Sequence, residues 1–302
     1  MLVSRNLTLP FAEIIQTLRS VRNGSYDKKV RVTTNDEIGY TGDTINEMTE
    51  GLRERERLQH SLDIAKEVQQ NLLPAKDPQI EGLDIAGTSI YCEETGGDYY
   101  DYIMTAEEDQ KKISIVVGDV ADHGIPSALL MTTARAFLRQ RVSGSGELDQ
   151  VVSDVNRQLT RDVEDSGRFI TLFICEIDRA DQVLQWVNAG HDPAMIYTHN
   201  GGMFEELSGN ALPLGVSYMA AYQKFDQKIA PGQIIAIGTD GIWEALNPNG
   251  KMFGKERFKD IIHQNAHRPA KEIIQELIKA LDRFCHPLAK TDDVTLVITK
   301  IV

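Results

Sequence analysis

Apolar residues in the first part of the chain recur every three or four positions, the spacing of one face of an α-helix. The first such segment carries Leu7, Phe11, Ile14, Leu18 and Val21. Asn23-Gly24-Ser25 ends it, and a polar, basic connector follows over 27–34. A second segment opens at 35–39 and places Ile45, Met48 and Leu52 on its apolar face. Two short amphipathic helices cannot bury such faces alone, so we expect a partner chain.

The next stretch, residues 50–73, is rich in charge but keeps an apolar series. Its members are Leu58, Leu62, Ala65 and Leu72. The pattern predicts a linker helix over 57–74 that Pro74 ends, with the charges on a solvated face. No flexible glycine or serine run interrupts residues 52–74, so this connection is predicted to be stiff.

From about residue 82 the pattern changes to short apolar runs separated by helical segments. The strand-like runs fall at 84–91, 113–119, 169–177, 183–188, 194–198, 233–238 and 294–301. The helical patterns fall at 125–141, 148–164, 255–265 and 269–285. Strands mostly follow one another and helices are grouped between them, which predicts an α+β fold with antiparallel sheets.

Composition narrows the class of protein. With 302 residues, the chain has length for about two domains. The net charge of −13 argues against a nucleic-acid binder and against docking on an anionic membrane. Three widely spaced cysteines indicate a reduced compartment. We find no signal peptide and no run approaching the roughly 18 apolar residues of a membrane span, so we expect a cytoplasmic chain.

Aspartates stand where apolar runs end or where glycines form a turn. Asp98 follows Gly96-Gly97, Asp119 closes the run 113–117, and Asp240 lies in Gly238-Thr239-Asp240-Gly241. Asp292 and Asp293 precede the final run. Carboxylates at strand ends can converge at one sheet edge, and hard oxygen ligands select Mg²⁺ or Mn²⁺. The pattern therefore predicts metal-assisted hydrolysis with water as the nucleophile.

Each of these positions also has a purely structural interpretation. Asp98 is typical of a hairpin turn, and Asp122 is typical of a helix N-cap. Because alternate side chains of a strand point to opposite faces, only one of Asp292 and Asp293 should face the site. The ordered set of aspartates is more specific than any single member.

Several longer motifs accompany these aspartates. They are 64–74 (IAKEVQQNLLP), 97–101 (GDYYD), 118–124 (GDVADHG), 188–191 (NAGH) and 239–244 (TDGIWE). In this order and spacing, residues 60–302 resemble the SpoIIE/RsbU-type serine phosphatases, a bacterial branch of the metal-dependent, type 2C-like protein phosphatases.

That resemblance implies a fold, a cofactor and a substrate class. The fold would be two stacked antiparallel sheets flanked by helices, with two Mn²⁺ or Mg²⁺ ions at one edge between them. Asp119 would bridge both ions, and the carbonyl of Val120 would bind one. Asp98, Asp240 and Asp292 would complete the site, with Asp293 as the alternative to Asp292. The substrate would be phosphoserine or phosphothreonine on a small regulatory protein, which in this family is usually a STAS-type anti-sigma-factor antagonist.

The N-terminal segment, residues 5–56, resembles a HAMP signalling domain. The matching features are Pro10, the apolar heptads and Asp36-Glu37-Ile38-Gly39. The resemblance implies a parallel homodimer through this segment and the linker helix, and the cytosolic portion of a membrane-anchored receptor. A generic dimerising coiled coil is the alternative. The predicted domains are therefore 5–56, 57–74 and a phosphatase domain over 75–302.

Some roles stay open at this stage. His123 lies near Asp119 and could protonate the leaving serine oxygen, although histidines of larger relatives lie closer to the bridging aspartate. His191 is interpreted as a ring that closes a turn by hydrogen bonds. Arg135, Arg139 and Arg141 are either a phosphate anchor or a solvated helix face. The rival functions are a small-molecule phosphatase on the same site, a non-catalytic scaffold, and a sensor relay with a protein-binding module.

Overall fold

The computed structural model describes residues 2–93, 95–104, 112–144, 146–164, 166–199 and 201–302, with side chains from residue 8 onward. The chain divides into two compact units, Met1–Lys66 and Glu67–Val302. The predicted apolar position Leu7 belongs to a helix, but its side chain lies outside the described residues. No helix in the described ranges is long and apolar enough to cross a membrane.

The two predicted N-terminal helices form at the predicted signals. Helix α1 covers Leu2–Arg22, and helix α2 covers Glu37–Gln70. Asp36 caps α2, because its Oδ1 accepts the backbone N–H groups of Ile38 (3.1 Å) and Gly39 (3.2 Å). The second helix and the linker helix are thus one unbroken element.

The end of α2 differs from the prediction. The helix ends at Gln70, and residues 71–73 form a turn in which the N–H of Leu73 donates to the Gln70 carbonyl (3.2 Å). Leu73 packs against the buried cores of the second unit. The turn over 71–73, and not Pro74, therefore ends the helix.

The first unit has a small core. Ile14, Val30 and Ile45 are buried, and Ile38 packs against them. Asn46 fixes the connector, because its side chain bonds both the N–H (2.8 Å) and the carbonyl (2.9 Å) of Val30. Three other apolar positions of the predicted seams are exposed, namely Phe11 (50%), Leu18 (40%) and Met48 (46%).

Among its described residues, the second unit forms two five-stranded sheets, and neighbouring strands within each sheet are antiparallel. The first sheet has β1 (Leu83–Ile90), β6 (Ala194–Thr198), β7 (Met203–Leu207), β9 (Gln233–Gly238) and β10 (Val294–Ile301), in the spatial order β1-β10-β9-β6-β7. The second has β2 (Tyr99–Met104), β3 (Lys112–Val120), β4 (Ile170–Asp178), β5 (Val183–Ala189) and β8 (Phe225–Lys228), in chain order. The α+β prediction is confirmed.

Side-chain alternation along the strands builds three apolar layers. Val117 and Phe173 of the second sheet pack with Ile235 and Val297 of the first, so the two inner faces form one core. Helices α3 (Ile125–Val142) and α4 (Leu148–Val163) cover the outer face of the second sheet. Helices α5 (Lys255–Asn265) and α6 (Ala270–Cys285) cover the outer face of the first. These are the stacked sheets and flanking helices that the resemblance implied.

Candidate metal centre

Asp98 and Asp119 meet on the second sheet. Asp98 directly precedes β2, and Asp119 lies near the end of β3, whose Gly118 pairs with Tyr99. Asp98 is buried, with 1% of its surface exposed. Its Oδ2 accepts the hydroxyl of Thr239 (2.8 Å), a residue that follows β9 of the first sheet. Asp98 therefore links the two sheets at their common edge.

Asp240 and the Asp292-Asp293 pair meet on the first sheet. The N–H of Thr239 donates to the Thr295 carbonyl (3.0 Å), and the N–H of Thr295 donates to the Thr239 hydroxyl (3.0 Å). A Cβ atom built on Gly241 would lie 1.9 Å from the Asp293 carbonyl oxygen. Only glycine permits this approach, which brings the turn after β9 against the entrance of β10.

Asp292 and Asp293 have different surroundings. Asp293 is buried, and its carboxylate accepts backbone N–H groups from Cys92 (2.8 Å) and Gly97 (2.9 Å). Asp292 is exposed, and its Oδ1 accepts the N–H of Asp293 (2.8 Å). Asp293 thus ties the glycine turn before Asp98 to the first sheet, whereas the charge of Asp292 lies close enough to Asp119 and Asp240 to raise their pKa values.

Asp98, Asp119, Asp240 and Asp292 repel one another when their carboxyl groups are ionised. Burial raises the pKa of Asp119 to about 8, and the charges of Asp240, Asp292 and Asp293 add to this rise. Burial and the charge of Asp119 also raise the pKa of Asp98 well above its usual value. Burial is the main cause of the raised pKa values of Asp240 and Asp292.

No lysine or arginine among the described residues forms an ion pair with these carboxylates. Within the same residues, no three carboxylate, imidazole or thiol groups are already placed to coordinate one ion. Carboxylate oxygens are hard anionic ligands, and a cluster of them without a lysine or arginine partner fits divalent Mg²⁺ or Mn²⁺.

The loop that carries Asp98 packs on the backbone after Asp119. A Cβ atom on Gly97 would lie 2.9 Å from the Val120 carbonyl oxygen and 3.3 Å from that of Asp122. The Val120 carbonyl therefore lies at the junction of the two loops. Any side chain at position 97 would push these loops apart.

A cavity of about 180 Å³ opens beside Asp119. Its walls are formed by Asp119, Thr171, Gly190, His191, Asp192 and Asp240. His191 is buried, and its Nδ1 lies 2.8 Å from the Thr171 hydroxyl while its Nε2 lies 3.2 Å from the Gly238 carbonyl. Burial lowers the pKa of His191 to about 4, so the ring is neutral at pH 7. The ring links Thr171 of the second sheet to Gly238 of the first. The turn is closed instead by the backbone of His191, whose N–H donates to Asn188 Oδ1 and whose carbonyl accepts from Asn188 Nδ2.

His123 lies at the rim of the cluster. Its side chain is 63% exposed, and its Nδ1 lies 3.1 Å from a carboxylate oxygen of Glu93. Its charge lowers the pKa of Asp292, which opposes the effect of burial. The geometry thus places an imidazole near the cluster, and its role as a proton donor stays a prediction.

The three arginines of α3 have partners that the sequence did not indicate. Arg139 binds the buried carboxylate of Asp101, with its Nε 2.6 Å from Oδ2, and Arg135 approaches the same group at 3.6 Å. Arg141 binds Asp154 (2.7 Å). Arg135 and Arg139 therefore join α3 to β2, and Arg141 joins α3 to α4. Neither a free phosphate anchor nor a purely solvated face describes these arginines.

Gln69 is a further residue at the site that sequence reasoning missed. It is buried near the end of α2, with 4% of its surface exposed. Its Nε2 donates to the Gly96 carbonyl (2.6 Å), and its Oε1 accepts the N–H of Gly96 (3.2 Å). The only available signal was a polar residue inside the motif 64–74, where it reads as a surface position.

Comparisons with known proteins agree with this geometry. Residues 109–302 match the family model described as Stage II sporulation protein E (SpoIIE), and residues 2–54 match the HAMP domain. Phosphoserine phosphatase RsbU of Bacillus subtilis is 30% identical over 249 residues, which cover 82% of this chain and 71% of RsbU.

Solved structures share the fold. The SiaA-PP2C domain of Pseudomonas aeruginosa has a TM-score of 0.73 at 22% identity, covering 82% of this chain and 98% of that one. RsbX in complex with magnesium has a TM-score of 0.56 at 14% identity, covering 75% of this chain and 99% of that one. At these identities the likeness establishes the two-sheet architecture alone. The family model, which matches more than half of the chain, and the RsbU relationship show that this chain belongs to the SpoIIE family and carries an N-terminal HAMP domain.

Proposed function

We propose that this chain removes phosphate from phosphoserine or phosphothreonine on a regulatory protein, with two Mn²⁺ or Mg²⁺ ions as cofactors. The observation that carries the proposal is the cluster of Asp98, Asp119, Asp240 and Asp292, drawn from both sheets and without an ion pair to a lysine or arginine among the described residues. The predicted enzyme class, a protein serine/threonine phosphatase, agrees with membership of the SpoIIE family.

The cluster supplies the groups that would hold the ions. Asp119 would bridge both, with Asp98, Asp240, Asp292 and the Val120 carbonyl as further ligands. When bound, divalent ions offset the negative charge of a phosphate ester and make water a stronger nucleophile at neutral pH. Both carboxylate oxygens of Asp293 already accept backbone N–H groups, which favours Asp292 as the ligand and leaves Asp293 as the alternative.

The chain's own residues would handle the substrate and its proton. The cavity beside Asp119 has room for a phosphate group. His123, at the rim, would give a proton to the leaving serine oxygen. Magnesium in RsbX and the phosphoserine named for RsbU support the same chemistry here.

The test is phosphate release from para-nitrophenyl phosphate and from a phosphorylated STAS-type protein. We expect hydrolysis of both with Mn²⁺ and none with EDTA. Hydrolysis of small phosphates alone would favour a metabolite phosphatase, and no metal-dependent hydrolysis of either substrate would contradict the proposal.

We further propose that the HAMP domain regulates this site through α2, within the cytosolic portion of a membrane-anchored receptor. Two observations support the route. Helix α2 runs without a break from Glu37 to Gln70, and Gln69 holds both backbone groups of Gly96, two residues before Asp98. A shift of the helix end would therefore move the loop that carries a proposed ligand.

Replacement of Gln69 by alanine should weaken metal binding. The change leaves the N–H and carbonyl of buried Gly96 unpaired, which costs about 1–3 kcal/mol per group. We expect roughly tenfold more Mn²⁺ to be needed for half-maximal hydrolysis of para-nitrophenyl phosphate. Gln70→Ala is the matched control, because Gln70 is exposed. Equal Mn²⁺ dependence of the two variants would remove this role.

We also propose that the chain forms a homodimer through the HAMP domain. The exposed seam residues Phe11, Leu18 and Met48 give the first unit an apolar surface that its small core does not use. Met48→Asp should therefore convert a dimer into a monomer in light scattering. Tyr40→Asp should not, since Tyr40 is 77% exposed and lies off the predicted seam. A monomeric unmodified chain would contradict the proposal.

A further inference from the structure

A second pocket adjoins the carboxylate cluster. It has a volume of about 400 Å³, and two of its wall residues, Gly241 and Asp292, also belong to the loops of the cluster. The remaining wall is mainly apolar and includes Ala245, Leu246, Met252, Cys285, Leu288 and Ala289. The pocket and the proposed catalytic centre therefore share a boundary.

Three large apolar side chains of this wall are open to solvent. Leu246 is 40% exposed, Met252 is 58% exposed, and Leu288 is 48% exposed. Single exposed apolar residues are ordinary, but a group of them around one concave surface marks an interaction site. The three exposed side chains form the rim of the pocket. Cys285, at the end of α6, forms its floor, because this side chain is buried in the core.

The backbone holds two of these side chains in place. Leu246 and Met252 face each other across an antiparallel bridge. Asn247 closes the turn between them, because its Oδ1 accepts the N–H groups of Asn249 and Lys251 (3.0 Å each). The N–H of Asn247 in turn donates to the Lys251 carbonyl (2.9 Å). An apolar surface that is already ordered binds a partner at a lower entropic cost.

We propose that this pocket receives an apolar side chain of the phosphoprotein substrate, close in sequence to the phosphorylated residue. The inference rests on the proposed phosphatase function. Asp292 lines the pocket and is also a proposed ligand, so a group held there lies beside the phosphate that is attacked. A side chain carried on the same segment as the phosphoserine meets this condition. The pocket would thus distinguish protein substrates from one another by a residue next to the phosphorylation site.

Synthetic phosphoserine peptides test this directly. In a set of nine-residue peptides, one leucine is moved from three positions before the phosphoserine to three positions after it, in a background of serine and alanine. We expect one register to raise kcat/KM at least about tenfold over the peptide without leucine, within the range that a hydrophobic pocket provides. Equal kcat/KM for all registers would overturn the inference.

Substitutions in the pocket then test whether this pocket causes the preference for leucine. In Met252→Ser and Leu288→Ser, the ratio of kcat/KM for the preferred peptide to that for the reference peptide should fall toward one. Because the ratio is taken on one enzyme, a general loss of activity cancels. Met203→Ser is the matched control, since Met203 is 68% exposed on edge strand β7, outside the pocket, and its variant should keep the preference. A preference that survives both pocket substitutions would also overturn the inference.

The experiments distinguish a failure of the proposed phosphatase function from a failure of the pocket assignment. If the unmodified protein does not hydrolyse para-nitrophenyl phosphate with Mn²⁺, the phosphatase function itself is wrong. If it hydrolyses para-nitrophenyl phosphate but shows no leucine preference, only the assignment of the pocket is wrong.

Discussion

Asp119→Asn should reduce Mn²⁺-dependent hydrolysis of para-nitrophenyl phosphate by at least about 1000-fold, or roughly 4 kcal/mol of transition-state stabilisation. The proposed bridging carboxylate is lost, while the shape of the side chain is kept. The same change should raise the melting temperature of the metal-free protein. Burial and its acidic neighbours raise the pKa of Asp119 to about 8, so at pH 7 the metal-free protein must take up a proton at this group in order to fold, a cost that the neutral amide removes.

Differential scanning fluorimetry with EDTA and with Mn²⁺ separates these effects. The unmodified protein should melt at a higher temperature with Mn²⁺, and Asp119→Asn should lose most of this increase. Asp122→Asn is the control, because Asp122 lies in the same loop, its side chain is 73% exposed, and asparagine tolerates its positive φ of 69°. Retained Mn²⁺-dependent activity in Asp119→Asn would exclude a bridging role.

Asp292→Asn and Asp293→Asn should show which of the two residues binds metal and which one holds the surrounding backbone in place. Asp292 is a proposed ligand, so Asp292→Asn should reduce activity about 100-fold or more. The metal-free variant should be at least as stable as the unmodified protein, because burial disfavours the charge of Asp292. Asp293 accepts N–H groups with both oxygens. An amide can accept with only one of them, so Asp293→Asn should destabilise the metal-free protein by about 1–3 kcal/mol.

Denaturant unfolding in EDTA, together with Mn²⁺ titrations of activity, measures both quantities. The opposite pattern, with a destabilised Asp292→Asn and a stable but inactive Asp293→Asn, would exchange the two roles. Thr291→Ser is a mild control in the same loop, since it keeps the hydroxyl and removes one methyl group from an exposed residue.

Strong apolar runs made most of the strands predictable. The run 113–119 became Lys112–Val120, and 294–301 matched its strand. Three strands were missed because they lack such a run or lie at an edge. Tyr99–Met104 reads as part of a glycine turn, and its pairing with β3 supplies what its pattern does not. Met203–Leu207 and Phe225–Lys228 are short, mainly exposed edge strands.

The family was predictable because strand ends and glycine turns are local signals, and its assignment is confirmed. The role of the aspartates as metal ligands stays a prediction. Contacts between distant positions were not. Gln69 reaches Gly96 across 27 positions, and Arg139 reaches Asp101 across 38. Both depend on how helices pack against the sheets, which no local pattern of the chain encodes.

The hydrogen bonds that cross between the sheets have a thermodynamic consequence. Thr239 of one sheet holds Asp98 of the other, and His191 spans Thr171 and Gly238. Every ion bound there would contact both halves of the β-structure, and so would favour the native state over any species in which the halves have separated. Conformational stability and catalytic competence would then rise and fall together with the divalent cation supply of the cell.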